Sequence, residues 1–540
     1  MRSPKTLLGR DELIIDGVRR DPVQMVEYVL DHVRRFVLQT KAGQDLKMDR
    51  VVATIPVNME GHRRALLRQA FRQAGMSVVQ FVHEPLAALY GHLRSMEGTQ
   101  DLVKRYDGKL LLVFDWGGGT LDLTLCRVLD GLLIQVANDG TEEVGGDVFD
   151  DELRNEVERR SRATQVLGED IEVLPEARKR LLHECEKAKI RLSDRSTWNV
   201  YVDPYYQSEE QADLQVNLSR DDLQDIVGHL VRKGVARIER LLESVGYSTA
   251  SVELCLATGG MVNMPQVKSR LDELFGPGRV HVSRRSASAI AEGAAWVAHD
   301  KARLHLAKNV ELTLARNSYM PLLTAGLSMP VERETKRERF SLYCVDPSDG
   351  HGKFSLVTPK YRPGPSVLPG DERRSLCNMV LKVDAKAHPF RERLELDVSI
   401  NEDLVLKAEA WSLNQKGRTE HEVHNLEFAL ATPGAKSGWV RASLLDGTGN
   451  TGRGSGPGDL AMRSNLAARE DLGLVPGEVM ARLDPTYFWT HTGQPPPQIQ
   501  VDERLYYEPC SVCKRPSNDP LCRCSSAPGW RIQTVARPGT

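Results

Sequence analysis

Apolar positions along this chain change period repeatedly, and each change predicts an element. Over residues 21–39 they recur at helical spacing (Val23, Val26, Val29, Leu30, Val33, Val37), and residues 50–56, RVVATIP, then read as a buried strand stopped by proline. Residues 61–74, GHRRALLRQAFRQA, form an amphipathic helix with Gly75 as its C-cap. Residues 78–82 make a second strand, which ends in His83-Glu84-Pro85, and a helix over 86–93 starts on that proline. The strongest pattern spans 109–127, KLLLVFDWGGGTLDLTLCR: a short apolar run over 110–114, a glycine turn, and alternation over 121–126. The sheet continues over 131–137, a second glycine turn falls at 144–147, and a charged helix covers 175–192. Another helix over 219–242 takes Ser219 as N-cap, and a strand over 251–257 enters Thr258-Gly259-Gly260.

From 309 to 430 the period shortens to alternating strands separated by Pro, Gly and Asp turns, which predicts a β-sandwich. Residues 446–458, DGTGNTGRGSGPG, are a flexible linker and not a P-loop, because no Gly-Lys-Ser/Thr follows.

Composition bounds this picture. A chain of 540 residues exceeds one usual core, so two or three domains are expected. Its 41% hydrophobic and 27% charged content is that of a globular protein, and a net charge of −2 argues against a chain-wide nucleic-acid or membrane-surface footprint. No apolar run approaches the length that spans a bilayer and none follows Met1 as a signal sequence would, so a cytoplasmic location is expected. Of nine cysteines, five (Cys126, Cys185, Cys255, Cys344, Cys377) are scattered, mostly in apolar surroundings, as reduced core thiols.

The chemistry sits at the glycine turns. Gly117, Gly118 and Gly119 let backbone N–H groups approach an anion, and Thr120, Asp115 and Asp122 supply a hydroxyl and two carboxylates suited to a phosphate and its Mg²⁺. Taken alone, an ordinary glycine hairpin accounts for the stretch equally well. Glu84 lies at a strand end and helix start, either as an active-site carboxylate or as an acid favoured by the helix dipole. Glu186, Lys189 and Ser193 share one helix face, which as a bare charge stripe would be a solvated surface. Gly259 and Gly260 form a later glycine-bearing strand end, placed to face one nucleotide from the opposite side of a cleft.

The order of these segments resembles a known family. VVATIPVNMEGHRRALLRQAFRQAGMSVVQFVHEPLAALYGH, LLVFDWGGGTLDLTL, VGGDVFDDEL, LLHECEKAKIRLS, CLATGGMVNMPQV and AIAEGAAW are similar, collinearly and at matching spacing, to the nucleotide-binding domain of the seventy-kilodalton heat-shock chaperones. The resemblance implies an α/β, actin-like (ribonuclease-H-like) ATPase domain over 1–305. A divergent β-sandwich over 306–432, weakly similar to the family's peptide-binding domain, would follow. It implies ATP and Mg²⁺ as ligands, with client polypeptides or a specific protein partner, and co-chaperones, as partners. By the same resemblance Asp115 would be the Mg²⁺-water and general-base aspartate, Asp122 would sit near the attacking water, and Glu84 would contact the Mg²⁺ shell. Lys5, in PKTLLGR, would be the catalytic lysine on a strand. Gly117, Gly118, Gly119 and Thr120 would hold the β- and γ-phosphates. Gly145 and Gly146 would form a further phosphate turn, Glu186, Lys189 and Ser193 the adenosine helix, and Gly259 and Gly260 the second adenosine turn. Pro56 and Arg64 resemble the interdomain switch pair.

The chain also departs from that pattern. The family's first phosphate loop is not found before Lys5, so its sheet would carry an unprotected edge. Ile190, Met261 and Asn263 stand where the family has arginine, serine and arginine, which weakens base recognition. The function expected is an ATP-dependent chaperone; the alternative is a non-hydrolysing scaffold. A sugar or acetate kinase on the same fold is disfavoured by the sandwich and the motif order. Residues 433–505 read as linker. In the tail over 506–540, Cys510, Cys513, Cys522 and Cys524 could close a tetrahedral Zn²⁺ site, the bland reading being a cysteine-rich tail.

Overall fold

The apolar run centred on Leu112 becomes an interior strand of a seven-stranded sheet that is covered on both faces. A computed structural model describes residues 4–433 apart from 11–12, 16–17, 96–104, 130, 165–170, 209–211, 284–285, 287, 316–317, 361–370 and 415–416, together with 464–468, 504–507 and 532–535. A short hairpin, β1 (Leu13–Ile15) and β2 (Val18–Arg20), leads into α1 (Pro22–Gln39). The start of α1 is set chemically: the Asp21 carboxylate accepts from Val23 N at 2.8 Å, and Pro22 occupies a position whose N–H would have no helical acceptor. The parallel pair β3 (Arg50–Ile55) and β4 (Ser77–His83) is joined by α2 (Gly61–Gln73), and α3 (Glu84–Ser95) leaves β4 without a loop. Among the described residues β3 has no second strand partner, as expected of an unprotected edge, and Val29, Val33 and Phe36 of α1 are exposed.

The meander β5 (Leu110–Trp116), β6 (Leu121–Leu129) and β7 (Leu132–Thr141) follows, then α4 (Gly146–Thr164) and α5 (Ala177–Asp194). Next come a hairpin of β8 (Thr197–Val202) and β9 (Leu214–Ser219), which the apolar pattern did not single out, and α6 (Arg220–Ser244). Ser219 and Asp222 cap α6 reciprocally in a capping box. β10 (Val252–Thr258), α7 (Pro265–Phe275), β11 (Val280–Val282), α8 (Ala289–His299) and β12 (Leu304–Leu306) complete this half.

Every residue of β5 is buried because both faces of its sheet are covered. Leu111 and Val113 point into the core shared with α3 and β4, whereas Leu110, Leu112, Phe114 and Trp116 point into the core beneath α4, α5 and α6. At about 1.5–3 kcal/mol for each large apolar side chain buried, this strand contributes strongly to sheet assembly.

The second half is an antiparallel sandwich. One sheet runs in the order β14 (Ser318–Leu323), β13 (Val310–Leu314), β16 (His351–Pro359), β17 (Arg373–Lys382); the other runs β20 (Arg418–Val423), β19 (Leu406–Ser412), β18 (Arg393–Asn401), β15 (Thr335–Cys344), β22 (Leu466–Ala468). Two expectations are corrected here. The last strand read as sandwich, β21 (Phe428–Ala431), instead pairs with β7 and β12 in the seven-stranded sheet, whose order is β11-β10-β5-β6-β7-β21-β12. Its side chains, apolar and fully buried apart from the terminal Ala431, suit a sheet covered on both faces rather than a sandwich edge. β22 lies inside the stretch read as linker, yet Leu466 is fully buried and the strand extends the sandwich against β15. The sandwich interior (Leu312, Leu356, Leu396) is continuous with the core around Phe81, Leu86 and Leu89, so no gap in the core marks residue 306.

Candidate functional site

The C-terminal ends of β5 and β10 and the start of β6 converge on one point. Asp115 and Asp122 are cross-strand partners on β5 and β6, and Thr258 of β10 is the parallel partner of Asp115. The glycine turn between β5 and β6 closes through Gly117 N donating to Thr120 O at 2.9 Å. The second glycine turn locks onto it: Gly146 N donates to Gly117 O at 3.1 Å and Asp147 N to Gly118 O at 2.7 Å. A Cβ on Gly145 would lie 2.5 Å from the Gly119 carbonyl, so only glycine permits this approach. Gly259 (φ +85°) turns the chain across the end of β5, where a Cβ would meet the Trp116 carbonyl at 2.3 Å and the Asp115 carboxylate at 2.9 Å. Thus Gly117, Gly118, Gly119, Gly145, Gly146 and Gly259, far apart in sequence, meet beside two aspartates. A Cβ on Gly260 would meet nothing.

These aspartates are electrostatically uncomfortable. Asp115 is raised to about 7, by burial first and then by the charges of Glu84 and Asp122; Asp122 is raised to about 7, by burial and then Glu84. Thr258 Oγ1 donates to Asp115 Oδ1 at 3.0 Å and Val57 N to Asp122 Oδ1 at 3.3 Å, yet Asp122 Oδ2 is buried with no hydrogen-bond partner. Glu84, at the first turn of α3, pairs with the Lys5 ammonium. Lys5 is not on a strand as expected: Pro4–Leu7 is a 3-10 turn, with Leu8 N donating to Lys5 O at 3.4 Å, and the fixed φ of Pro4 suits the start of such a turn. Among the described residues no three His, Cys, Asp or Glu side chains converge as direct ligands of one metal. The residues present do fit a Mg²⁺: it would neutralise the buried Asp115 and Asp122 carboxylates and give the orphaned Asp122 oxygen a partner.

The opposite side of the cleft is different. Lys189 of α5, 8% exposed, donates to Gly146 O at 2.9 Å and pairs with Asp150 at 2.8 Å. Ser193 Oγ folds back on Lys189 O at 3.3 Å, and Glu186 lies 3.7 Å from His183. Met261 is buried here.

Arg64 is fully buried on α2 and reaches into the sandwich. Its guanidinium donates to Met59 O at 2.7 Å, Asp403 O at 3.2 Å, Leu404 O at 3.3 Å and His424 O at 3.0 Å. Burial lowers it to about 10, with Asp403 opposing. Pro56 accepts from Met59 N at 3.2 Å, which sets the turn leading to Arg64. Arg68, one turn on and missed from sequence, pairs with Asp403 at 2.7 Å and donates to Val78 O and Glu402 O at 2.6 Å each. Its helical spacing from Arg64 was the available signal. His83, beside Glu84, was missed too: its buried ring, lowered to about 3 by burial and then Arg64, contacts Gln135 Oε1 at 3.3 Å, and that oxygen accepts from Phe428 N at 2.8 Å. Nothing in the local sequence marks Gln135.

Cys510, Cys513, Cys522 and Cys524 lie outside the described residues. Nothing among the described residues supports zinc, and none of their helices is long and apolar enough to cross a membrane. Comparison with protein families matches residues 12–311, more than half of the chain, to the family described as Hsp70 protein.

Proposed function

The chain belongs to the Hsp70 protein family, and from that premise we propose that it binds the phosphates of ATP with Mg²⁺ between its glycine turns, hydrolyses them, and uses that cycle to control client binding by the sandwich. Membership makes the fold that of an actin-like ATPase and the general activity that of an ATP-binding chaperone. The particular residues and the coupling are our reading.

The observation that carries it is the pair of buried aspartates at the mouth of two interlocked glycine turns, with one carboxylate oxygen unsatisfied. Bound Mg²⁺ would supply charge neutralisation to the β- and γ-phosphate oxygens. Gly117, Gly118, Gly119 and Thr120 would then bind phosphate from one side and Gly145 and Gly146 from the other. Asp115, tethered by Thr258, would orient the water and accept its proton at a carboxylate oxygen, a role suited to a group held near neutrality. Asp122 would orient the same water, and Lys5, tied to Glu84, would fix the far wall. Arg64 and Arg68 would transmit a change at Glu84 through β4 to the sandwich turn at 402–404.

Calorimetry of Mg²⁺–ATP binding by the full chain, beside Asp115→Asn, tests this. Saturable binding that weakens in the variant supports the reading; no binding by either protein removes it. A non-hydrolysing scaffold is the second reading, favoured by Met261 and Asn263 standing where the family has serine and arginine. Binding without phosphate release in a single-turnover assay would select it.

A further inference from the structure

We infer that the edge of β15 is a groove for an extended polypeptide, and that the chain's own residues 464–468 occupy it as an internal ligand which a client must displace. The inference rests on the reading that the sandwich receives clients, and it adds the place and its regulation; it does not depend on the nucleotide site.

The sandwich is built before this segment arrives. Its strands β13 to β20 follow one another between residues 310 and 423, and the chain then leaves as β21 for the seven-stranded sheet. Residues 464–468 return to the sandwich from beyond that departure. On one side of β15, β18 pairs along the whole of Thr335 to Tyr343; on the other, β22 covers only Leu342, Tyr343 and Cys344. Among the described residues, the rest of that second edge, 335–341, has no strand partner. A very short strand on a mostly open edge is the geometry of peptide capture by strand addition.

The polar contacts of the segment are ones the groove offers to any extended chain. Asn465 O accepts from Val345 N at 2.7 Å. Its side-chain Nδ2 donates to Asp346 O at 2.6 Å and His351 O at 2.8 Å and lies 3.4 Å from Cys344 Sγ, while Oδ1 accepts from Lys353 N at 3.0 Å. Ser464 Oγ donates to Lys353 O at 3.2 Å and accepts from Leu466 N at 3.3 Å within the segment itself. Apart from the Cys344 thiol, every one of these sandwich partners is a main-chain group at the end of β15, in the connection that follows, or at the start of β16. Selection comes from the next position. Leu466 is fully buried where β22 lies against β13 and β16 as well as β15, in the core that contains Leu312, Leu342 and Phe354. Main-chain hydrogen bonds hold an extended chain, and one apolar pocket chooses its side chain. The partner that fits is an unfolded segment carrying a leucine-sized aliphatic residue after a small polar one.

The test is fluorescence anisotropy of a labelled peptide covering residues 461–470, AMRSNLAARE, with the full chain and no nucleotide. A free peptide competes with a tethered copy whose effective concentration is on the order of millimolar. The wild type should therefore bind the peptide at least about tenfold more weakly than the full chain carrying Asn465→Ala and Leu466→Asp together. The same two changes made in the peptide should abolish its binding. Amide hydrogen exchange of the wild type tests the inference without a variant: residues 464–468 should exchange through a local opening that leaves β18 protected, and excess peptide should speed that exchange. Exchange of 464–468 only together with β18, in global unfolding, makes the segment an integral strand and overturns the inference, as does a folded variant that binds the peptide no tighter than the wild type. If a reduced, carboxymethylated polypeptide still binds the full chain in that case, the client reading stands at another site and this inference alone falls. If it does not bind, both fall.

Discussion

Two buried charge clusters in this protein follow opposite plans. Around Arg64 and Arg68 each buried cation is met by carbonyls or a carboxylate from a segment more than 300 residues away in sequence, and the contacts join α2 to the sandwich. Around Asp115 and Asp122 like charges are buried together, both pushed to about 7, with an oxygen left unpaired. The first arrangement is complete without a ligand and holds two halves of the chain together. The second leaves like charges facing one another and one oxygen without a hydrogen-bond partner, so a bound cation would relieve it. A buried charge thus signifies structure or function according to whether the fold supplies its partner.

The contrast can be broken at four points. The largest effect is expected at Arg64: Arg64→Ala leaves the Asp403, Leu404 and His424 carbonyls without a donor and should cost about 3–5 kcal/mol, read as a lower urea midpoint and faster proteolysis between the two halves. Next, Asp115→Asn should weaken Mg²⁺–ATP about 100-fold, or about 2.7 kcal/mol, by calorimetry, while raising the melting temperature of the ligand-free protein because one buried like charge is gone. If the ligand-free protein is instead destabilised, the unpaired-charge account of this site fails. Third, Arg68→Lys should cost about 1–2 kcal/mol, since an ammonium reaches Asp403 but cannot also serve Val78 O and Glu402 O with fixed geometry.

The smallest effect is a pH slope. Folded Asp122 keeps its proton to about 7, whereas in the unfolded chain it loses it near 4. Between those values the native state binds more protons than the unfolded state, so this group's stabilising contribution is present below pH 4 and lost as pH rises through 7. With divalent cations chelated, the stability of wild type relative to Asp122→Asn should therefore fall from pH 5 to pH 8. An unchanged difference would show that Asp122 is not strained in the apo protein.

How much of this was legible beforehand depends on range. Asp115, Asp122 and the three glycines between them lie within eight positions, so the apolar period around them reveals the hairpin and the carboxylates together. Glu84 was visible as a strand end. Lys5 was placed on a strand by resemblance, whereas the structure puts it in a 3-10 turn that begins at Pro4. β21 was read as sandwich because it follows a series of alternating strands, although its own four residues are all apolar; its pairing with β7 and β12 places it in the seven-stranded sheet. Arg68 and Gln135 were missed because an Arg on a helix and a Gln in a strand look ordinary until the acceptors at Asp403 and Phe428 arrive.

The sequence by itself determined most of the elements, the order of the glycine turns and the residue types available for phosphate chemistry, because period, turn chemistry and capping are local properties of the chain. The tertiary structure alone decided which charges are answered, that Met261 is buried against the second glycine turn, and that the sandwich shares a core with the nucleotide half. Those outcomes depend on contacts between segments tens to hundreds of residues apart, and on the burial that such contacts impose.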